Sequence, residues 1–418
     1  MRRVIIGAAV LLAPSLAWAD PLDDILRGVS LDSETFLTRY QNDSPLLSER
    51  VSLTALVPLS DRFSFNLAGY AAAAVPDDPR QGGPSLLAGD SSDARHGEVT
   101  ALNLTWMGPG ISVIAGKADL TMGVAEVHSS VDRFEPSDYS DPLHSRRLGR
   151  IQLRGDVQIG DDTATLVLLP VEELSRTPSA SANWVGLGDL ISLMRWNDIP
   201  TDVRDPALTN GALIRYAGVR DGYDFFVGAH YGPGAYATTR LDGGALVKSW
   251  PDALSGFGGA VATVGNWRIY GEALFQHTFN GWDQDFLRYT VGASVRLFDI
   301  AATLGVQEII PTLEFADDIV TADTLSSSLY MSSATERPFN STLIGKLRVK
   351  VSDDLGVTWI SGFNVVDHGY GALIGLDYQL SDGLLLNAQA GMTGGPSTSQ
   401  IGEFGNSRVF TIGFLYKV

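Results

Sequence analysis

Cysteine is absent from the 418 residues. Its absence excludes disulfide staples, zinc sites built from thiolates, and thiolate catalysis. Long apolar runs are missing too: after the first 16 residues no stretch reaches the 18 or more apolar residues of a membrane helix, which excludes a helical membrane bundle. Charge is sparse, at 19% of residues, and bases are scarcer than acids, 30 against 48, for a formal net charge of −18. Such a chain does not gather nucleic-acid phosphates, and its acidity reads as solvated loops. The six histidines, His96, His128, His144, His230, His277 and His368, are scattered, with no H-E-x-x-H spacing. There is no G-x-S-x-G, and Gly345-Lys346 lacks the rest of a phosphate loop. His144 near Asp141 would need a serine brought in by folding, so neither an enzyme nor a bound cofactor or metal is expected. The Asp-rich loops offer carboxylates to hard cations but no D-x-D-x-D-G spacing, and ordinary solvation is the expectation.

Against these absences stands an export signal. Arg2 and Arg3 precede an apolar run at 4–16, and Ala17-Trp18-Ala19 supplies the small residues a signal peptidase reads. Residues 1–19 are expected to be a signal peptide and 20–418 the mature protein. An exported chain with no spanning helix crosses a second membrane only with strands.

Strands are what the chain has in quantity. Val51, Leu53, Ala55, Val57 and Leu59 alternate, Ser60-Asp61 turns, and Phe63, Phe65 and Leu67 alternate on the way back. The unit recurs as 98–107 with 111–117, 147–156 with 163–170, 210–219 with 223–232, 254–264 with 267–276, 286–297 with 300–309, 341–351 with 355–364, and 371–380 with 384–393. A weak first strand at 30–40 and a final one at 408–418 complete about 18, and 16 also fits. Tight turns alternate with long loops, so the expected fold is all-β: a transmembrane antiparallel β-barrel with short periplasmic turns and long extracellular loops. Tyr223 with Tyr231, and Trp267 with Phe275, are spaced to mark the two aromatic girdles, about 20 Å apart along tilted strands. Trp106 suits the periplasmic girdle.

The last strand, R-V-F-T-I-G-F-L-Y-K-V, carries Phe410, Ile412, Phe414, Tyr416 and Val418 on one face. With Gly413, Tyr416 and Val418 in place, it resembles the C-terminal insertion signal of bacterial outer-membrane β-barrels, departing from it where Val418 replaces the usual aromatic. A second resemblance covers about a quarter of the chain. G-K-A-D at 116–119, V-D-R-F-E-P-S-D-Y-S-D-P-L from 131, and the Pro170 segment running to Trp184 resemble a group of porin-like outer-membrane proteins, without the Trp-Gly often found near Met122-Gly123. The matching positions are Gly116, Lys117, Asp119, Pro136, Asp138, Tyr139, Pro170 and Trp184. Pro and Asp here equally build rigid turns. Strand count and a basic wall are also similar to the alginate exporter, a barrel with a cationic lumen. These resemblances imply the outer membrane of a Gram-negative cell, with lipid, lipopolysaccharide and the barrel-assembly machinery as partners.

With apolar positions outward, the opposite parity lines the lumen: Leu148, Arg150, Gln152 and Arg154 on one strand, Ile344, Lys346, Arg348 and Lys350 on another. Arg215, Arg268, Arg288 and Arg296 also fall inward, against Asp224, Glu272 and Asp377. A wall of one sign concentrates solutes of the other, which predicts passive passage of small polar, anionic solutes. An equal reading is structural, with the bases paired to acids of inserted loops. The loop at 118–146, with Asp132, Glu135, Asp138 and Asp141, is the candidate constriction, and 171–209, with Glu172 and Glu173, a second insert. Two other functions stay open: export of an acidic exopolysaccharide, or a scaffold or adhesin that only displays loops.

Overall fold

In the computed structural model the described residues are 28–40, 45–75, 96–138, 145–171, 173, 175, 201–203, 208–234, 236–242, 245–323, 325–326, 329–337, 339–399, 401–402 and 407–417. The expected signal peptide lies outside them, as do Asp141, Tyr139, His144, Glu172, Trp184 and Val418.

Eighteen strands form the wall: β1 Val29–Tyr40, β2 Leu46–Pro58, β3 Phe63–Val75, β4 Gly97–Gly108, β5 Ile111–Ala118, β6 Arg150–Ile159, β7 Asp162–Val171, β8 Leu208–Arg220 and β9 Tyr223–Pro233. They continue as β10 Asp252–Val264, β11 Trp267–Thr278, β12 Asp285–Val295, β13 Glu308–Ala322, β14 Thr342–Lys350, β15 Leu355–Asn364, β16 Tyr370–Ser381, β17 Leu384–Gly394 and β18 Arg408–Lys417. Each strand pairs antiparallel with its neighbour in sequence, and β18 pairs with β1 over Asp32↔Lys417 to Tyr40↔Val409, so the barrel closes. Closure leaves no strand edge unpaired, as a strand assembly needs in a medium without water.

Period-two alternation decides what faces where. Leu153 and Val157, Leu166 and Leu168, Tyr223, Val227 and Tyr231, Trp267, Ile269 and Phe275, Ile374 and Tyr378, and Phe410, Phe414 and Tyr416 are all exposed on the outer face. An apolar belt of that extent would aggregate in water and is stable against hydrocarbon. At one end the connections are short, as at Asp221-Gly222 and Asp382-Gly383, where the glycines take φ of 83° and 82° that other residues resist. The other end carries the long loops, among them a four-stranded sheet of Thr201–Val203, Thr238–Asp242, Ala245–Ser249 and Leu329–Met331.

Two expected strands are corrected. The stretch 300–309 is not a strand: Phe298–Leu304 is a helix, α1, closed by Gly305 at φ 70°, and β13 starts only at Glu308. Ala301, Ala302 and Leu304 are good helix formers, and a left-handed glycine ends the helix in the usual way. The strand expected at 147–156 starts at Arg150, because Gly149 at φ 64° breaks it, and Arg146–Arg147 pairs instead with Ser137–Asp138.

The compact core lies inside the barrel, on one side of it. Leu120, Met122, Val131 and Phe134 of the β5–β6 connection pack on Val167, Leu169, Leu213, Phe226, Phe257 and Leu274 of β7–β11. Inward apolar side chains on five successive strands give that connection a dry surface to fold onto.

Candidate functional site

The site is the lumen together with this internal loop, described over residues 119–138 and 145–149. Gly116 lets the chain turn inward: at φ 121° its Cα lies so close to Leu102 that a Cβ would stand 2.2 Å from the carbonyl oxygen. Beside it Lys117 is buried and ion-paired to Glu173 at 2.9 Å, and Glu173 also accepts the N–H of Ile151 at 2.6 Å.

The loop is then fastened through its backbone. Asp132 accepts the N–H groups of Met122 and Gly123 at 2.5 and 2.8 Å. Glu272, inward on β11, accepts those of Val124 and Ala125 at 2.6 and 3.1 Å, with the Ser129 hydroxyl at 2.5 Å and the Val131 N–H at 3.3 Å. Glu314, inward on β13, accepts the N–H groups of Glu126, Val127 and His128 at 2.8, 2.9 and 2.9 Å, and the Tyr270 hydroxyl at 2.6 Å. Ser130 and Thr290 hydroxyls meet at 2.7 Å. Ionised acceptors make these bonds stronger than neutral ones.

The inward bases divide by what they touch. Arg150 donates to the Phe134 carbonyl at 2.5 Å, and Gln152 to that of Ala118 at 2.7 Å. Arg268 donates to Glu126 at 2.7 Å and to the Val124 carbonyl at 2.9 Å, stacked 4.8 Å over Tyr270. Arg288 is fully buried and donates to the Tyr236 hydroxyl at 2.8 Å. Arg150, Gln152 and Arg268 hold the loop, and Arg288 reaches His128 of its apex at 3.5 Å. Arg154 bonds Asp156 at 3.0 Å, while Arg215 stacks 5.0 Å over Phe226 with no ion pair among the described residues. On β14, Ile344 is buried and Lys346 has no carboxylate within ion-pair reach among the described residues. Arg348 bonds Glu308 at 2.8 Å and Lys350 bonds Asp353 at 3.0 Å, both exposed near the short-turn end. Arg296 lies past the end of β12, in the connection to α1, 3.8 Å from Glu308. Leu148 is buried in the loop's return. Asp224 is exposed next to its turn, and Asp377 accepts from Asn387 at 2.6 Å.

Of the constriction candidates, the three among the described residues, Asp132, Glu135 and Asp138, are fasteners. Besides its backbone bonds, Asp132 meets Arg147 at 3.3 Å. Glu135 accepts the Leu120 N–H at 3.2 Å and meets Arg147 at 3.4 Å; burial first, and then Asp119, raise its pKa to about 7. Asp138 accepts the Tyr70 hydroxyl at 2.7 Å. His128, in contrast, is held neutral: burial and then Arg133 and Arg288 push its pKa well below the usual imidazole value. Among the described residues no three metal-binding side chains cluster.

Two groups escaped the sequence reading. Glu314 lies beyond the strand expected at 300–309, because the strand runs over Glu308–Ala322 instead. Glu34 binds Arg146 at 2.5 Å and Arg50 at 3.1 Å, with both guanidiniums within 5.7 Å of the Tyr70 ring. Only the inward parity of Glu34, Arg50 and Tyr70 could have signalled it. Of the insertion-signal residues, Tyr416 faces outward and Gly413 lies under the Phe36 ring at the closing seam.

No family model and no curated protein matches the chain. Solved structures do match in fold. One is Pseudomonas aeruginosa OpdK with vanillate, at 10% identity, covering 93% of this chain and 98% of that one, with a TM-score of 0.53. Another is Pseudomonas aeruginosa OccK3 (OpdO), at 11% identity and coverage of 95% and 98%, TM-score 0.52. A third is Acinetobacter baumannii OccAB2, at 12% identity and coverage of 93% and 97%, TM-score 0.50. The chain thus has the fold of porin-like outer-membrane barrels.

Proposed function

We propose that the protein is an outer-membrane channel through which small polar, anionic solutes pass passively. The carrying observation is Lys346, an inward base without an ion pair among the described residues, at the edge of the internal loop. Its cross-strand partner Thr312 donates to Glu126 of the loop apex at 3.2 Å. Arg215 adds a second base with no ion pair among the described residues, and a low-dielectric wall with free positive charge favours anions. In this reading residues 1–19 are a cleaved signal, residues 20–418 make the barrel, and the short turns face the periplasm. Lipid and lipopolysaccharide surround the belt, and the assembly machinery reads the last strand. A loop packed across one side of the lumen suits small solutes better than a threaded polysaccharide. The vanillate named for OpdK, an aromatic carboxylate, is a fitting first solute to try.

Reversal potentials of the refolded protein in a planar bilayer under a salt gradient test this. Anion preference is expected, and cation preference would sink the proposal. A single wall charge acting across water at about 4–8 Å contributes roughly 0.5–1 kcal/mol. Lys346→Gln should therefore lower the anion-to-cation ratio about two- to five-fold.

A further inference from the structure

The apex of the internal loop, residues 124–131, offers the wall backbone N–H groups more than side chains, and two buried glutamates receive them. At Glu272 each oxygen has two donors: Val124 and Ala125 N–H on one, Ser129 hydroxyl and Val131 N–H on the other. At Glu314 one oxygen takes Glu126 and Val127 N–H with the Tyr270 hydroxyl, and the other takes His128 N–H. Both oxygens of each glutamate thus meet only donors, so a glutamine of the same shape must turn an N–H₂ against a donor. The two side chains stand on either side of β12, where Thr290 is the partner of Glu272 and Gly292 that of Glu314.

The base of the loop has other anchors. Leu120, Met122 and Phe134 lie in the apolar core, and Asp132 and Arg150 bind the backbone there. Besides the glutamates, the apex is held through Glu126, which accepts from Arg268, Ser294 and Thr312, through Arg268 on the Val124 carbonyl, through the Ser130–Thr290 contact and by Val131 in the apolar core, but the glutamates are the acceptors of six of its backbone N–H groups.

We propose that Glu272 and Glu314 are positioning residues of the solute path: they hold the loop apex, with Glu126, against β11–β13 beside Lys346, and so set the width and charge of the narrowest passage. This rests on the channel reading, and the test separates the two. Glu272→Gln and Glu314→Gln, each checked for folding by heat-modifiable electrophoresis, should speed amide exchange at residues 124–128 by about tenfold or more, the loss of one or two charge-assisted bonds. Single-channel current should rise and become noisier. Because the chain has no cysteine, Ser130→Cys with Thr290→Cys supplies a unique disulfide that ties the apex to β12 without the glutamates. In the oxidised state it should return current and exchange to wild-type levels, and reduction should release them again.

Unchanged exchange would overturn the holding role. Fast exchange with unchanged current would overturn the apex as the narrowest passage. Altered current that the disulfide does not correct would mean that the glutamate charges act on the solute directly, and positioning would be wrong. If the wild type is silent in bilayers, the channel reading fails, while exchange still decides whether the glutamates hold the apex.

Discussion

At the residue scale, the carboxylates of the loop do different work from similar carboxylates on the wall. Glu135 is 93% buried and shares its surroundings with Asp119, and its pKa stands at about 7, above the ordinary 4.5. For an acid with a raised folded pKa the stabilising form is the protonated one. Its contribution is therefore fully present below about pH 4.5 and is lost as pH rises through 7. The lowering by Arg147 is already contained in that value, so ionising Glu135 costs the folded protein on the order of 3 kcal/mol. Glu135→Gln should remove this dependence: in urea titrations in lipid vesicles the variant should gain that amount relative to wild type at pH 8 and nothing at pH 4.5. Equal curves at both pH values would show that Arg147 cancels burial and Asp119 together. The inward bases at 150, 154, 215, 268, 288, 346 and 348 were legible because parity alone assigns a strand residue to a face. Their partners were not, since a loop that doubles back brings Glu126 and the carbonyl of Phe134 to the wall from a distance no local pattern records.

At the scale of elements, the seam between β1 and β18 decides whether the barrel closes. Gly413 faces inward there, and a Cβ on it would stand 2.3 Å from Cδ1 of Phe36 and 2.7 Å from the carbonyl oxygen of Thr35. The ring lies over the bare glycine, an arrangement that supports a strand weakened by having no side chain to pack. Gly413→Val should cost about 1–3 kcal/mol by overpacking and lower the yield of closed barrel on refolding, read as the heat-modifiable band. Phe36→Ala in the same chain should restore only part of it, because the Thr35 carbonyl remains. Full restoration would assign the clash to the ring alone. Most strands were readable to within two or three residues, since a half-exposed strand must alternate. The exception was the connection after β12, where α1 interrupts two strands and the alternation at 300–309 was spurious. The helix shifts the next strand to Glu308–Ala322, and with it Glu314, one of the two glutamates that grip the loop, onto the wall.

At the scale of the whole molecule, aspartates ring the short-turn end of the barrel. Asp61, Asp161, Asp221, Asp353, Asp354 and Asp382 all sit in the short turns, and each is explained locally, because Asp with Gly or Ser makes tight turns. Together they still place negative charge around one mouth, offset in part by Arg62 in the Asp61 turn and by Lys350 on Asp353. Lys346 and Arg215 put positive charge deeper inside. An anion entering from the short-turn end meets repulsion before attraction, whereas one entering from the loop end does not meet this ring first. Current carried by anions should therefore rectify at low salt. The effect should fade as the Debye length falls from about 10 Å at 0.1 M to about 3 Å at 1 M. Replacing Asp353, Asp354 and Asp382 by Asn should raise anion current from the short-turn end at 0.1 M and leave the 1 M traces unchanged. If the triple variant rectifies like the wild type at 0.1 M, the turns are turn chemistry and nothing more. The asymmetry of the current would then belong to the wall bases and the loop.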